Sequence, residues 1–296
     1  MVFPWLLVSA LVVLIYAVFV EPRWFGVRCV RIQTKKKLPR PITILHLSDT
    51  HFSGKKSYKD KFFEKLAREF EPDFIVATGD IIDCNEGIEQ AARLLGNLKA
   101  RLGKFVVLGN HDYYDYHFFD NINYHLRGIR TPFRVNDIRK FVSALKANGV
   151  YVLRDNNQKV DVDSSSVWVT GTEDPVTRTV NFQKVLENVP NDSFNILLTH
   201  VIDSIVKMPE TSVDIVFAGH THGGQIRFPF IGGFMYGFKM PRKYLEGIHF
   251  WNETVLCVSR GIGASRFTAL RFFCRPEAIL IEISPQSTDD SPRKGN

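Results

Sequence analysis

Histidine and carboxylate residues recur in this chain directly after short apolar runs. In the stretch FAGHTHGGQIRF (217–228), His220 and His222 follow such a run and precede two glycines. Four other apolar runs end in DTH (49–51), GD (79–80), GNHD (109–112) and TH (199–200). Because a catalytic metal usually takes three or more protein ligands, one pair of histidines is not enough for a metal site. The five segments together would supply the missing donors.

The spacing within these segments suits shared donors. In an extended chain residues i and i+2 face the same side, so Asp49 with His51, and His220 with His222, can each present two donor atoms to one place. Taken singly, each segment has an ordinary explanation, because G-D after a strand is usually a turn or a helix cap and H-x-H can be a hydrogen-bonded structural pair. Five such elements in order, each at a strand end, favour a common metal site.

The elements that must position these residues alternate between strands and helices in the first half of the chain. Apolar runs predict strands at 42–49, 74–80 and 104–110, and amphipathic spacing predicts helices at 57–70 and 88–102. This order is a βαβαβ unit with a parallel sheet, and open α/β sheets bind ligands at the carboxyl ends of their strands. The second half has closely spaced strands and suggests a second, mixed sheet. Its strands are predicted at 151–153, 167–171, 195–198, 214–217, 254–258 and 278–283.

The order D-x-H, G-D, G-N-H-D, H and G-H-x-H resembles that of the calcineurin-like metallophosphoesterase superfamily, over roughly residues 42–284. The resemblance implies an α/β fold, a four-layer α/β/β/α sandwich with a dinuclear metal centre between the two sheets. It also implies the ligands. The first metal would be held by Asp49, His51 and His222, the second by Asn110, His200 and His220, and Asp80 would bridge the two.

These residues suit the hydrolysis of a phosphoester. Two cations about 3.5–4 Å apart clamp the attacking and leaving oxygens of an in-line displacement, and a metal-bound water becomes a nucleophile near neutral pH. His111, which the ligand set leaves free, can protonate the leaving group or neutralise charge on the phosphoryl oxygens. The resemblance suggests that Asp112 orients that imidazole. The nitrogen and oxygen donors suit two manganese, iron or zinc ions, and we favour manganese.

Composition argues against several other classes of protein. Hydrophobic residues are 45% of the 296 and charged residues 23%, so a substantial core can form. The four scattered cysteines (29, 84, 257 and 274) lack a C-x-x-C pair, which argues against a disulfide framework and a cysteine-rich zinc site. The net charge of +7 is local, because residues 1–41 hold seven basic residues and only one acid. We therefore expect no nucleic-acid partner.

Residues 2–20 form an uncharged apolar run, VFPWLLVSALVVLIYAVFV. As a helix at about 1.5 Å per residue it measures about 28 Å, close to the roughly 30 Å core of a bilayer. A secretory signal peptide is the alternative, but no basic residue precedes the run and no A-x-A site follows it. We predict an uncleaved single-pass anchor in the inner (cytoplasmic) membrane. The basic residues after the span place the catalytic domain on the cytoplasmic side, where they would also lie against anionic headgroups.

These patterns divide the chain into four predicted segments. They are a transmembrane anchor at 1–21, a basic juxtamembrane linker at 22–41, the metallophosphoesterase domain at 42–284 and a disordered tail at 285–296. Within the domain, the alternation of strands and helices stops at residues 113–150. This segment has irregular aromatic sequence and a short helix near 137–147, so we expect a cap-like insertion there. Its aromatic residues either cover the substrate or form the core of the cap.

The substrate is predicted from shorter motifs. The single anchor, GNHDYY, GHTHGGQIRFP, SRGIG and LRFFCRPE resemble the membrane-associated phosphodiesterase branch, which includes UDP-2,3-diacylglucosamine pyrophosphatases. The resemblance implies cleavage of UDP-2,3-diacylglucosamine to a lipid X-type product and UMP in lipid A biosynthesis. Two alternatives stay open. One is a phosphodiesterase for another substrate, such as a glycerophospholipid or a cyclic nucleotide, and the other is a non-enzymatic scaffold on the same fold.

The segment Phe228–Tyr244, FPFIGGFMYGFKMPRKY, is apolar, aromatic and rich in glycine. It is either a hairpin packed on the core or a contact for acyl chains or the membrane surface. In the second case its phenylalanines would meet acyl chains and its basic end would meet phosphate or headgroups, with a further arginine in the RGIG loop (260–263) near phosphate. The candidate substrate contacts are Phe230, Phe234, Arg242, Lys243 and Arg260.

Overall fold

A computed structural model describes residues 2–36, 38–116, 134–209, 213–233, 235, 238–264 and 270–286. Within these residues the chain forms two six-stranded sheets. The first has the order β1-β16-β2-β3-β4-β7 and consists of β1 (Gly26–Thr34), β2 (Ile42–Leu47), β3 (Phe74–Thr78), β4 (Gly103–Val107), β7 (Tyr151–Val152) and β16 (Glu277–Pro285). The second has the order β14-β15-β11-β10-β9-β8 and consists of β8 (Asn156–Val162), β9 (Ser165–Gly171), β10 (Phe194–Leu198), β11 (Ile215–Ala218), β14 (Gly247–Trp251) and β15 (Thr254–Val258).

Both sheets are mixed. In the first sheet β2, β3, β4 and β7 run parallel, and β16 pairs antiparallel with β2 and parallel with β1. In the second, β9, β10, β11 and β15 run parallel, with antiparallel strands β8 and β14 at the edges. The parallel strands bring their carboxyl ends to one edge of each sheet, which is where ligands bind in such sheets.

The alternation of side chains along the strands explains how the sheets pack. In β2, Ile42 and Ile44 face the core between the two sheets, whereas Leu45 and Leu47 face the helices outside. Three helices, α2 (Tyr58–Glu69), α3 (Ile88–Asn97) and α5 (Ile138–Ala147), bury their apolar faces on that outer side. Side chains of the first sheet (Phe74, Val76, Phe105 and Val107) share the central core with those of the second (Val169, Ile196, Leu198 and Phe217). The outer face of the second sheet is covered by the short helix α6 (Phe182–Val185) and by 3-10 turns at Ile202–Lys207 and Arg242–Leu245.

Local signals set the ends of the helices. Ser57 caps α2, because its hydroxyl accepts from the amide of Lys59 and its own amide donates to Asp60 in a capping box. The helix predicted at 88–102 ends at Asn97, because Leu98 already has extended backbone. The ammonium group of Lys104 donates to the carbonyl of Gly96 at 2.7 Å and so satisfies an oxygen that the end of the helix leaves free.

The structure differs from the prediction at residues 22–41, where a linker was expected. Residues 26–34 form strand β1, which pairs with β16 from Gly26–Glu277 to Thr34–Pro285. Val30 and Ile32 pack against the central core on alternate positions, a pattern that the many charges conceal in the sequence. Arg40 is also part of the fold, since it forms ion pairs with Asp73 and Asp163.

The predicted cap at 113–150 is only partly described. The short helix α4 (Asn110–Tyr113) leads into a two-stranded ribbon of β5 (Tyr114–Asp115) and β6 (Arg134–Val135), and residues 117–133 lie outside the described part. The helix that ends this segment, α5, belongs to the domain rather than to a cap, because Phe141 and Leu145 are fully buried in the outer core. Residues 287–296 of the predicted tail also lie outside the described residues, whereas Pro285 ends β16.

The N-terminal residues form a helix whose first part, from residue 5 to residue 14, is exposed. Helix α1 (Val2–Ile15) continues through a π-helical turn to Val20 and a 3-10 turn to Arg23. The 19 residues from Trp5 to Arg23 are long and apolar enough to cross a membrane, with 11% of the apolar window buried against the protein. A short hairpin of β12 (Arg227–Phe228) and β13 (Gly232–Gly233) follows the H-x-H motif.

Candidate metal centre

The seven predicted ligands come together between the carboxyl ends of five strands. Asp49 and His51 follow β2, Asp80 follows β3, and Asn110 begins α4 after β4. From the second sheet, His200 follows β10, and His220 and His222 follow β11. The donor atoms of six of these residues form two groups, one of Asp49, His51 and His222 and one of Asp80, His200 and His220.

The backbone at the ligands is not extended. Five of the seven have left-handed φ angles: Asp49 (51°), His51 (46°), Asp80 (52°), His220 (67°) and His222 (48°). Such angles are uncommon for residues other than glycine and persist where surrounding bonds hold them. Loop-to-loop hydrogen bonds do so here, from the amide of Asp49 to the carbonyl of Gly79 and from that of His51 to the carbonyl of Asp80. The prediction that residues i and i+2 share a side of an extended chain was therefore wrong here. Left-handed turns, rather than extended backbone, direct these side chains to the same place.

The first group consists of Asp49, His51 and His222, whose ligand atoms lie within 4.8 Å of one another. Nε2 of His51 is 3.3 Å from Nε2 of His222, which is 3.5 Å from Oδ1 of Asp49. Without a cation, these three atoms would either repel one another or share a proton, because two ring nitrogens and a carboxylate oxygen lie so close together. They fit the ligand shell of a divalent metal.

The second group consists of Asp80, His200 and His220, and Asn110 stands beside it. Nε2 of His200 is 3.3 Å from Oδ1 of Asp80 and 3.2 Å from Nδ1 of His220. Oδ1 of Asn110 is buried and has no hydrogen-bond partner among the residues that the structure describes. Because an unpaired buried amide oxygen is costly, this atom fits a role as a metal ligand.

Asp80 faces both groups at once. Its Oδ1 points to His200 of the second group, and its Oδ2 is 3.8 Å from Nε2 of His51 in the first. Two glycines allow the neighbouring loops to approach Asp80 and Ser48 closely. A Cβ on Gly109 would lie 2.3 Å from Oδ1 of Asp80, and one on Gly219 would lie 1.8 Å from Oγ of Ser48. The donor set, its two-sided carboxylate and the unpaired amide oxygen together fit a pair of divalent cations.

Burial and mutual charge separate the pKa values of the ligands. Burial disfavours the imidazolium of His200, but the carboxylate of Asp80 outweighs it and raises the pKa of His200 to about 10. Burial and the neighbouring charge of His200 lower the pKa of His220 to about 3. Burial raises the pKa of Asp49, whereas the histidines around Asp80 hold the pKa of that carboxyl well below its usual value despite burial. A cation bound in the second group therefore has to displace the proton of His200.

His111 lies beside the ligands and contacts a carboxylate that the sequence analysis missed. Its Nδ1 is 3.2 Å from Oδ1 of Asp83, an atom that is also 2.7 Å from Nδ1 of His51. Burial disfavours the charged form of His111, but Asp80 and Asp83 raise its pKa above the ordinary value. The raised pKa favours the protonated imidazole, which is the form that a general acid requires. The signal in the sequence was the second carboxylate of GDIID, three residues after Asp80.

Asp112 has a different place from the one expected. Its carboxylate accepts from the amides of Gly109, Ile81 and Ile82 at 2.8 to 2.9 Å, so it joins the loops after β3 and β4. Burial and the nearby charge of Asp80 raise its pKa to about 7. Asp83, rather than Asp112, contacts the His111 imidazole.

Five of the metal ligands, His51, Asp80, Asn110, His220 and His222, line a cavity of about 260 Å³. His111, Thr221, Gly224, Gln225 and Met235 complete its wall. A second cavity, of about 460 Å³, shares His220 and Met235 with the first and is lined by three cationic side chains, those of Arg178, Lys207 and Lys239.

Among the described residues, the predicted substrate contacts do not line the metal cavity. Arg260 forms an ion pair with Glu246, which also pairs with Arg227 at 2.9 Å. Arg242 and Lys243 are exposed in the 3-10 turn before β14, where the Lys243 ammonium lies over the ring of Tyr244. Phe230 is fully exposed at the tip of the β12–β13 hairpin, and Phe234 lies outside the described residues.

The two sheets, the ligand groups and the order of the motifs define a metallophosphoesterase. The sequence profile of the family described as calcineurin-like phosphoesterase matches residues 42–224, and the chain belongs to this family. Its enzymes are hydrolases of phosphoesters, and the His and Asp groups of this chain are candidate sites for their divalent metals.

Three relatives are similar to this chain along most of their own length. The metallophosphoesterase YkuE of Bacillus subtilis is 31% identical over 248 residues, which cover 81% of this chain and 78% of that protein. The phosphodiesterase YaeI of Escherichia coli is 25% identical and covers 90% of this chain and 92% of its own length. The UDP-2,3-diacylglucosamine pyrophosphatase LpxG of Chlamydia trachomatis is 27% identical, with the same two coverages of 90% and 92%.

Proposed function

We propose that this protein is a membrane-anchored phosphoesterase that hydrolyses the pyrophosphate bond of a lipid-linked nucleotide, UDP-2,3-diacylglucosamine being the best candidate. The observation that carries the proposal is the two ligand groups, which Asp80 of the second group connects to His51 of the first, with His111 beside them. An apolar helix precedes β1. Similarity to LpxG supports the choice of substrate.

The residues of the chain have separate tasks in this reaction. Asp49, His51 and His222 would hold one cation, Asn110, His200 and His220 the other, and Asp80 both. Two such cations, which we propose to be manganese, would supply a hydroxide near neutral pH and would neutralise phosphoryl charge. His111 donates its proton to the leaving oxygen, and Asp83 fixes the orientation of the ring through Nδ1. With this proton the departing phosphate monoester leaves as a monoanion rather than a dianion, which lowers the barrier to cleavage of the P–O bond.

The adjoining cavity suits the nucleotide part of such a substrate. It meets the metal cavity at His220 and Met235, so a substrate with one phosphorus at the metals can extend into it. Arg178, Lys207 and Lys239 line it together with one acidic residue, Asp203, so the balance of charge is positive. Cationic side chains are the usual partners of phosphate groups. A volume of about 460 Å³ is within the range of pockets that hold ligands of this size.

The test is a substrate panel with full-length protein in detergent and Mn²⁺. UDP-2,3-diacylglucosamine, a glycerophospholipid and a cyclic nucleotide are compared, and UMP is measured by chromatography. We expect UMP from the first substrate and a loss of turnover of about 10²-fold or more in His111→Gln. His249→Gln is the matched control, because His249 contacts the backbone of Glu246 away from the metals. Absence of UMP with active, metal-loaded protein would refute the pyrophosphatase proposal.

A second candidate is hydrolysis of a phosphodiester other than a nucleotide-linked lipid. Similarity to the phosphodiesterase YaeI favours it, and the metal centre would serve both reactions equally. Turnover of the glycerophospholipid or the cyclic nucleotide in the same panel, without UMP release, is the result that identifies it.

The anchor is part of the proposal. The apolar helix from Trp5 to Arg23 would span the inner membrane and leave the domain on the cytoplasmic side. Cys29 is exposed just after the helix, whereas the other three cysteines are buried. A membrane-impermeant maleimide should therefore label Cys29 in inverted membrane vesicles and not in intact spheroplasts. Labelling of Cys29 in intact spheroplasts would show that the domain lies on the opposite side of the membrane.

A further inference from the structure

The N-terminal helix is packed onto the domain at its C-terminal end. Glu21 is completely buried, and its carboxylate accepts hydrogen bonds from the amides of Phe273 and Cys274. The amide of Arg271 donates to the carbonyl of Ala17 at 2.9 Å. A buried carboxylate with two amide donors is a strong and directional attachment. The end of the helix is therefore fixed to the segment 271–274.

The same segment holds the β12–β13 hairpin on its other side. Ile226 forms a bridge with Phe272, and the amide of Arg227 donates to the carbonyl of Phe272 at 2.8 Å. The ring of Phe272 contacts Tyr16 of the helix and Phe228 of the hairpin, both edge-on with centroids 6.4 Å apart. Helix, segment 271–274 and hairpin thus form one continuous packed unit.

This unit exposes large apolar side chains beside the end of the helix. They belong to the hairpin and to segment 271–274, and we call them the apolar rim: Phe228, Phe230, Ile231 and Phe273. Phe230 is fully exposed and Ile231 is 70% exposed. Adjacent exposed apolar side chains on a folded domain mark a contact surface, because each costs free energy in water.

Charged and aromatic groups near the end of the helix are those favoured at a membrane surface. The guanidinium of Arg275 stacks on the exposed ring of Trp24 at 3.9 Å from its centroid. Arg23, one residue earlier, lies over the ring of Tyr58. Tryptophan is enriched where a span leaves the bilayer, and arginine there is attracted to anionic headgroups. The surface around the rim therefore matches a lipid bilayer in both its apolar and its cationic parts.

We propose that the apolar rim docks into the bilayer around the anchor and holds the metal cavity at the level of the headgroups. The proposal rests on the membrane span proposed above. Gly224 and Gln225 of the cavity wall lead directly into the hairpin, so the cavity opens next to the docked surface. A lipid whose phosphorus lies in the headgroup layer then reaches His111 while its acyl chains stay in the membrane.

The experiment measures the depth of the rim in vesicles and does not depend on catalysis. Full-length protein with Cys29→Ser and Phe230→Cys is labelled with an environment-sensitive fluorophore and reconstituted into phosphatidylethanolamine–phosphatidylglycerol vesicles. The control carries Phe250→Cys, an equally apolar exposed position that lines a cavity with Thr34 and Lys35 at the far end of β1. β1 advances about 3.3 Å per residue, so this position is about 25 Å along the strand from the helix.

We expect a lipid with a nitroxide near its headgroup to quench the label at position 230 about twofold or more relative to position 250. Equal quenching in protein that floats with the vesicles would overturn the docking of the rim and leave the anchor intact. Protein that does not float would refute the anchor itself, and the rim with it. UMP release is measured separately and decides the proposed reaction independently.

A second variant tests the attachment by Glu21. Glu21→Ala removes both amide contacts, so the rim should be held less firmly and quenching at position 230 should fall towards that at position 250. Glu21→Gln keeps one carbonyl oxygen as an acceptor and should retain most of the quenching. Unchanged quenching in Glu21→Ala would show that the buried carboxylate does not fix the rim at the membrane.

Discussion

The two ligand groups of the metal centre are supported in different ways. In the first group the outer nitrogens of the histidines face charged side chains, His51 at 2.7 Å from Asp83 and His222 at 3.3 Å from Arg271. In the second, Nδ1 of His200 is 2.8 Å from the carbonyl of Thr78, and Asn110 is a neutral donor. Charged side chains therefore orient the histidines of the first group, whereas a backbone carbonyl orients His200 of the second.

This difference links the first group to acid catalysis. Oδ1 of Asp83 contacts both His51 and His111, so one carboxylate supports a metal ligand and the proton donor together. Burial opposes ionisation of Asp83, but the charges of the two histidines lower its pKa below the ordinary value. A change at Asp83 should thus affect metal binding and proton transfer at once, whereas a change at His220 of the second group should affect metal binding alone.

The largest effect is expected where the two groups meet. Asp80→Asn removes the charge that both cations would share, so turnover should fall by about 10³-fold or more and the metal content should drop from two ions to one or none. Inductively coupled plasma mass spectrometry of the purified protein measures the content. Two retained ions would show that Asp80 does not bridge.

His111→Gln should lower kcat by about 10²- to 10⁴-fold while both metals remain bound. The pKa of His111 is raised, so the proton is present below that pKa and is lost as the pH rises through it. The wild type should therefore lose turnover on the alkaline side, and the variant should lack this alkaline limb. The pH profile of kcat checks this, and an identical alkaline limb in the variant would assign it to another group.

Asp83→Asn and Asp112→Asn separate the two carboxylates near His111. Asp83→Asn should lower turnover by about 10- to 100-fold and move the alkaline limb to lower pH, because the imidazolium loses a negative neighbour. Asp112→Asn should instead cost about 1–3 kcal/mol of stability, since asparagine has one acceptor oxygen and cannot accept at both positions where Asp112 accepts from the three amides. Thermal unfolding and pH profiles of both variants test this. The reverse pattern would restore Asp112 as the partner of His111.

The smallest effect is a difference in the pH dependence of metal binding. Because the pKa of His200 is raised to about 10, metal in the second group competes with a proton, and its affinity should rise up to about tenfold per pH unit from pH 7 to 9. Burial and the charge of His51 lower the pKa of His222, so that ligand of the first group competes with no proton in this range. Metal titrations of the apoprotein at several pH values should resolve two slopes, and equal slopes would contradict the assignment.

The sequence predicted the strands that carry the ligands, because each is a short apolar run that ends in polar residues. It did not predict the directions in which the ligand side chains point. The left-handed turns at Asp49, His51 and His220 depend on hydrogen bonds between loops that are distant in the sequence. It also paired His111 with the wrong neighbour. Consecutive residues of a helix point about 100° apart, so Asp112 turns away from His111 on α4, and Asp83 reaches it from another loop.

The pairing of β1 with β16 has a consequence for biosynthesis. In the order β1-β16-β2, the last strand of the chain lies between the first two, so β1 and β2 share no ladder with each other. As the ribosome extends the chain, helix α1 and β1 emerge first, yet β1 has no strand partner until Glu277–Pro285 has been made. We expect β1 to remain unpaired while the intervening strands are made, and the N-terminal helix to become fixed to the hydrolase domain only after β16 has been synthesised.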